Sequence, residues 1–388
     1  MSANTTTRRS IIVIFCFLPL LFSTVVAQRG ESPIKVFGYF QTSLQQWGDF
    51  EDRPGSNSFS LQQLNLFFQK DLARNWTAFV NFEVLNNFSS SRQWGALNLE
   101  EAWVKYRLNE KFNLKLGLQI PTFNNLNTIK NRTPLLPYII RPIVYETSFN
   151  EFILIEEFVP NRAFAQAYGF FPAGDVKIDY AAYLGNSPNI NDDRQQGQTG
   201  VDTSASFLVG GRLGLRWKNL KAGISATHEK RNDFRGLSQL INRSTAELVN
   251  VPTVRFAGDL SYTFAGFSLE GEFITVRVND GIPELNLDLD FYYGTFGYHI
   301  NEQLFAYFSY WATISDFLLD APQHYLMEKE EILVSNFGLS YDLINRIRLK
   351  AQYARVTLTD REQFFPATTL TEKEGKFNVY SLAISVFF

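Results

Sequence analysis

Few residues in this chain could do covalent chemistry. There are 3 histidines, His228, His299 and His324, and 1 cysteine, Cys16. A hydrolytic nucleophile needs a base within hydrogen-bond reach and a third group that orients the base. No serine or aspartate forms such a motif beside a histidine, and no His/Asp/Glu cluster has metal-ligand spacing. The sequence therefore points to no catalytic residue, no metal and no cofactor. What it carries instead is charge at alternate positions: Lys105 and Arg107, Lys177 and Asp179, Glu270 and Glu272, Arg348 and Lys350. Residues two apart in a strand share a face. Their chemistry is electrostatic, that of a charged wall which water and ions can touch.

The elements that position these charges are short alternating segments. Ala78, Val80, Phe82 and Val84 oppose Thr77, Asn81 and Glu83. Leu114, Leu116, Leu118 and Ile120 oppose Lys115, Gly117 and Gln119; Val209, Leu213, Leu215 and Trp217 oppose Gly210, Arg212, Gly214 and Arg216. In such segments the charges fall on one face only. The pattern is weaker in 161–171, 266–277 and 303–315, where both faces carry apolar residues. In the first of these, Ala163, Ala165, Ala167 and Gly169 are expected on the inner wall. Strands are predicted at 35–47, 58–70, 76–86, 97–108, 112–120, 161–171, 175–185, 206–217, 219–229, 252–264, 266–277, 287–299, 303–315, 331–342, 346–358 and 376–388.

Seven short turns, rich in Asn, Asp, Gly and Pro, alternate with eight long polar connections at about 48–57, 87–96, 121–160, 186–205, 230–251, 278–286, 316–330 and 359–375. After residue 27 no apolar run is long enough for a spanning helix. Aromatics make up 15% of the chain, with 37 Phe and 17 Tyr. Trp76, Trp103, Trp217, Tyr262, Tyr341 and Tyr380 fall near predicted strand ends, where aromatic girdles belong. The predicted fold is all-β: a transmembrane antiparallel barrel of about sixteen strands, with short turns at one end and long loops at the other.

Residues 1–27 read as a cleaved secretory signal. Arg8 and Arg9 precede an apolar run at 11–22, and Val25-Val26-Ala27 supplies small residues before the cut. Residues 28–388 are then one barrel domain without cysteine, which excludes a disulfide scaffold, a thiolate zinc site and a cysteine nucleophile. Losing Arg8 and Arg9 takes the formal charge of -3 to -5, and nothing in that balance suggests nucleic-acid binding. In the last segment Tyr380, Leu382, Ile384, Val386 and Phe388 form one apolar face that suits lipid. A closing strand that ends on Phe resembles the terminal assembly signal of bacterial outer-membrane barrels, read by the barrel assembly machinery.

The predicted register turns Lys105, Arg107, Lys115, Lys177, Arg212, Arg216, Lys221, Arg255, Arg348 and Lys350 inward. It does the same for Glu83, Glu101, Asp179, Asp259, Glu270, Glu272, Asp288 and Asp290. The acids nearly match the bases, and bases facing acids across a lumen would set up a transverse field. The connection at 121–160 has five prolines and two apolar patches, 135–140 and 152–155. A loop this long and greasy would not stay in water as a tether, so it is expected to fold into the barrel as a constriction. Lys130, Arg132, Arg141, Glu146, Glu151, Glu156 and Glu157 are its candidate eyelet charges.

The chain resembles the porins of Gram-negative bacteria, in particular the phosphate-selective porin O/P type. The residues that carry this are Val36-Phe37-Gly38-Tyr39-Phe40-Gln41, Leu116-Gly117-Leu118-Gln119-Ile120-Pro121, Pro160-Asn161-Arg162, Tyr168-Gly169 and Phe388. The resemblance implies a passive outer-membrane channel for small hydrophilic solutes or ions, anions such as phosphate among them. It also implies a homotrimer and a constriction set by the third long loop. The rival readings are a plugged structural or adhesive barrel and an outer-membrane hydrolase.

Overall fold

A computed structural model describes residues 32–49, 54–85, 96–129, 132–145, 158–160, 162–186, 206–231, 251–278, 284–321, 324–364 and 371–388. The predicted leader at 1–27 lies outside the described residues, as do Lys130, Glu146, Glu151, Glu156 and Glu157. From Ile34 to Phe388 the chain forms one unit.

Sixteen strands follow one another: β1 (Lys35–Trp47), β2 (Ser56–Ala73), β3 (Trp76–Leu85), β4 (Ala96–Arg107), β5 (Asn113–Gln119), β6 (Ala163–Ala173), β7 (Val176–Asn186) and β8 (Phe207–Trp217). They continue with β9 (Leu220–Arg231), β10 (Val251–Phe264), β11 (Phe267–Val278), β12 (Leu285–His299), β13 (Leu304–Ala321), β14 (His324–Ile344), β15 (Ile347–Phe364) and β16 (Thr371–Phe387). Each pairs antiparallel with its neighbours in sequence, and β1 pairs with β16, so the barrel is closed. Closure removes every edge, which is what lets strands cross a bilayer with all backbone groups paired. The closing seam ends on a reciprocal backbone pair, Gly38 N to Phe388 O at 2.9 Å and Phe388 N to Gly38 O at 3.0 Å. A Cβ at Gly38 would stand 2.4 Å from the Asn65 carbonyl oxygen and 2.8 Å from the Phe388 ring, so the seam needs a glycine here.

The short turns use the chemistry that the sequence offers. Asn109 Oδ1 accepts from the N–H groups of Lys111 and Phe112, and Asn301 Oδ1 accepts from those of Gln303 and Leu304. Side chains that bond the long inner loop mark the inner face, and the pairing register carries that face from strand to strand. Leu213, Leu382, Tyr380 and Phe296 lie on the other face and are exposed, as lipid contact requires. The tilted rings of Trp76 and Tyr106 lie 4.9 Å apart, and those of Phe267 and Tyr298 4.5 Å apart, on this outer face at the short-turn end. Trp103 departs from the expected girdle. It pairs with inward Phe79, and its ring stacks on that ring at 4.8 Å.

The wall is uneven in height. β5 has 7 residues, whereas β13, β14, β15 and β16 have 18, 21, 18 and 17. A span needs about 9–11 residues, so the last four strands rise well beyond the bilayer at the long-loop end. The expected loops at 316–330 and 359–375 are therefore largely strand. Polar residues on both faces hid these extensions from a reading based on alternation. In water both faces can be polar, and outward ion pairs link the strands there: Lys329 to Asp316 at 3.7 Å and Arg361 to Glu372 at 3.1 Å. His324, expected in a loop, opens β14.

Candidate pore and its inner loop

The described residues of the loop between β5 and β6 do fold into the barrel. Its root is a bulge. Gly117 has φ +114, and a Cβ there would lie 2.3 Å from the Ala102 carbonyl oxygen, so only glycine fits where β5 breaks its register with β6. Asn127 Nδ2 donates to the Pro121 carbonyl at 2.9 Å and to the Pro160 carbonyl at 3.2 Å, which ties the two ends of the loop together.

From this root the loop touches strands around the lumen. Thr122 exchanges hydrogen bonds with Gln166 on β6, both at 3.0 Å. Asn124 N donates to Ser225 on β9, and Leu126 N donates to Glu272 on β11 at 2.7 Å. Gln352 on β15 accepts from the N–H groups of Ile139 and Ile140 at 2.6 and 3.0 Å and returns a bond to the Ile140 carbonyl. Lys350 Nζ donates to the Thr133 and Tyr138 carbonyls and to Gln41 Oε1, so this buried side chain staples the loop and is withdrawn from the lumen surface. Gln62 on β2 reaches the Ile139 carbonyl at 2.7 Å. Tyr145 donates to Glu272; burial first, and then that carboxylate, hold the tyrosine proton well above its usual range, so the hydroxyl remains a donor.

Apolar packing does the rest. Phe123, Leu126, Ile140, Val144, Tyr145, Phe158 and Val159 from the loop join one cluster with Ile274, Val276, Leu289, Phe291, Trp311, Val334 and Val356 from the wall. Those wall residues lie on the inner face of β11 to β15. The sequence reading gave this face to Asp288 and Asp290. The pairing instead turns both outward, opposite Arg277 and Thr275, and Arg277 holds them at 3.5 and 3.1 Å. Leu287, Leu289 and Phe291 point in. On β6 the expected order is also reversed. Gln166 stands opposite Lys115, and Phe170 opposite Asp179, so Gln166, Tyr168 and Phe170 are inward while Ala165, Ala167 and Gly169 turn out.

The other candidate residues separate by burial. Glu83 is buried and accepts from Gln63 at 2.6 Å. Glu101 is buried beside Trp103, with Arg132 of the loop 4.0 Å away. Arg141 of the loop is buried too. Arg255 forms a buried ion pair with Glu229, a partner the sequence reading did not single out. Arg212 is clamped by Asp179 at 2.8 Å and Asp259 at 2.6 Å, and Asp179 also takes Arg216 at 2.9 Å. Glu270 accepts from Tyr293 at 3.0 Å. Arg348 pairs with Asp342 at 2.6 Å and donates to the Leu135 carbonyl. Arg107, Lys177, Arg216 and Lys221 are exposed, and Lys105 and Lys115 half-buried, with the Lys115 ammonium 4.5 Å over the Trp103 ring. Of the wall charges, the accessible ones on β4 to β9 are thus mostly basic. Tyr380, Leu382 and Ile384 are on the outer face of β16, with Phe388 after its end. His228 pairs with Val209 and Val254 on the outer face, and His299 lies at the short-turn end against Phe305, so these two histidines do not meet.

No protein-family model and no curated protein sequence matches this chain. Solved structures do match its fold. The outer membrane channel DcaP of Acinetobacter baumannii aligns at a TM-score of 0.58 and 13% identity, over 92% of this chain and 97% of that one. An anion-selective porin from Comamonas acidovorans gives 0.54 and 12%, over 92% and 100%. OmpT of Vibrio cholerae, in its trimer form, gives 0.53 and 10%, over 92% and 99%. The barrel shares its fold with outer-membrane channels. At such identities the likeness extends to the fold and no further.

Proposed function

We propose that this barrel is an outer-membrane porin, a water-filled channel for passive diffusion of small hydrophilic solutes, narrowed by its inner loop and biased toward anions. The observation that carries the reading is the fate of the charges. The acids Glu83, Glu101, Asp259 and Glu272 are buried under the loop or within the wall, while on β4 to β9 Arg107, Lys177, Arg216 and Lys221 remain exposed. A barrel of sixteen strands leaves an aqueous channel unless something fills it, and the accessible wall charge then selects the ion. Gram-negative export through a cleaved leader, insertion by the barrel assembly machinery and assembly as a homotrimer belong to the same reading. Phosphate is one anion it would admit.

Single-channel recording of the protein in planar bilayers, with a salt gradient, tests this. Stepwise currents with a reversal potential of anion sign are expected. A folded, heat-modifiable barrel that passes no current would sink the channel reading. It would favour the plugged structural barrel, which the loop's contacts with β2, β6, β9, β11 and β15 also suit.

A further inference from the structure

The two ends of the wall carry like-charged residues directly opposite one another, and the sign differs between the ends. At the short-turn end Lys177 is paired with Arg216, and Arg216 with Lys221, across β7, β8 and β9. At the long-loop end Glu328 is paired with Glu362, and Glu330 with Asp360, across β14 and β15. The oxygens of Glu328, Asp360 and Glu362 come within 4.8 Å of one another. All these side chains have inner-face register. Like charges placed directly opposite destabilise a sheet, so the barrel bears this cost twice, with opposite sign. Among the described residues the countercharges are shared or partial: Asp179 takes both Arg216 and Arg212, and on β16 Lys373 is paired in register with Asp360. In a closed ring of sixteen strands, β7 to β9 and β14 to β15 lie on roughly opposite sides.

We infer that the channel is electrically polarised along its axis and rectifies current, with an acidic extracellular mouth that gathers cations and a basic periplasmic vestibule that gathers anions. The inference rests on the channel reading and on short turns facing the periplasm. When the extracellular side is positive, cations enter from the acidic mouth and anions from the basic vestibule. Both then accumulate between the belts and conductance rises. The opposite voltage draws both outward and depletes the middle of the pore. Solutes are thereby sorted by side as well as by sign.

The test is the current–voltage curve of single channels in symmetric salt. Orientation is assigned with a thiol reagent added to one chamber against an Asp175→Cys variant, since Asp175 is exposed in a short turn and no other cysteine follows Gln28. At ~0.1 M salt the current is expected to be about twofold larger with the extracellular side positive, and nearly symmetric at ~1 M, because the Debye length falls from about 10 Å to about 3 Å. The pair Glu328→Gln and Glu362→Gln should flatten the asymmetry from one end, and Lys177→Gln with Lys221→Gln from the other. Symmetric currents from a conducting channel at low salt would overturn the inference, as would rectification that survives all four changes. Silence at both polarities would instead remove the channel reading on which it rests.

Discussion

On β11 the inner face reads Glu270, Glu272, Ile274, Val276 and Val278; on β8 it reads Leu208, Gly210, Arg212, Gly214 and Arg216. Both strands alternate, and the outer face of each is apolar up to the rim, where β11 carries Thr275 and Arg277. They differ in what covers the inside. The wall of β10 to β16 is roofed by the loop, so its inner face can be apolar and act as the floor of a small core. On β7 to β9 the inner wall bears Arg212, Arg216, Lys177 and Lys221, three of them exposed. The inside of a membrane barrel is therefore not polar by rule. It is polar where water reaches it and apolar where protein does.

The sharpest way to break this comparison is at Arg212. Arg212→Glu would set a third carboxylate between Asp179 and Asp259, and removing one partner of a buried ion pair costs about 3–5 kcal/mol. The variant is expected to lose its heat-stable folded form. Normal folding would mean that the β7–β10 network is not what holds that wall. On the roofed side, Phe291 sits between Tyr145 and Phe158 at ring separations of 6.4 Å. Phe291→Ala should cost about 3 kcal/mol of loop seating, read as protease cleavage within the loop and noisier, larger currents from a folded barrel. Quiet wild-type currents would show that the loop does not depend on the apolar floor.

Smaller effects sharpen the same contrast. Gln352→Leu strips the acceptor from the Ile139 and Ile140 N–H groups, at about 1–3 kcal/mol. Faster amide exchange at those two positions, with the barrel otherwise protected, is the expected readout. Lys177→Gln with Lys221→Gln should move the reversal potential toward cations while changing stability by no more than about 0.5 kcal/mol. An unmoved potential would mean that these lysines do not face the conducting path. Arg277→Gln on the outer rim should change neither current nor, beyond about 0.5 kcal/mol, stability, because its pairs are exposed. An altered current there would put the register of β11 and β12 in question.

Much of the fold was legible because period-two alternation and turn chemistry are local. Each of the sixteen strands overlaps its predicted segment, with β13 to β16 running beyond theirs at the long-loop end, and Asn109 and Asn301 make the turns expected of them. The register of β12 was not legible, since a one-residue shift exchanges the faces and a polar lumen was assumed. A polar lumen favours Asp288 and Asp290 inside, whereas the structure puts Leu289 and Phe291 there. The clue was present in 266–277 and 303–315, where both faces were apolar. Ile274, Val276 and Trp311 are the inner half of that pattern, and they meet the loop.

The sequence by itself determined a closed β-barrel with an apolar outer face, a long loop too hydrophobic to stay in water, and a near balance of wall charges. Those are properties of neighbours along one strand. Which charges remain in contact with water was decided only by the tertiary structure. Burial of Glu83, Glu101 and Glu272, the stapling of Lys350 and the exposure of Lys177 and Lys221 depend on where a loop from one strand pair lands on walls far away in sequence. Solvent access is a property of the assembled surface, and no single segment carries it.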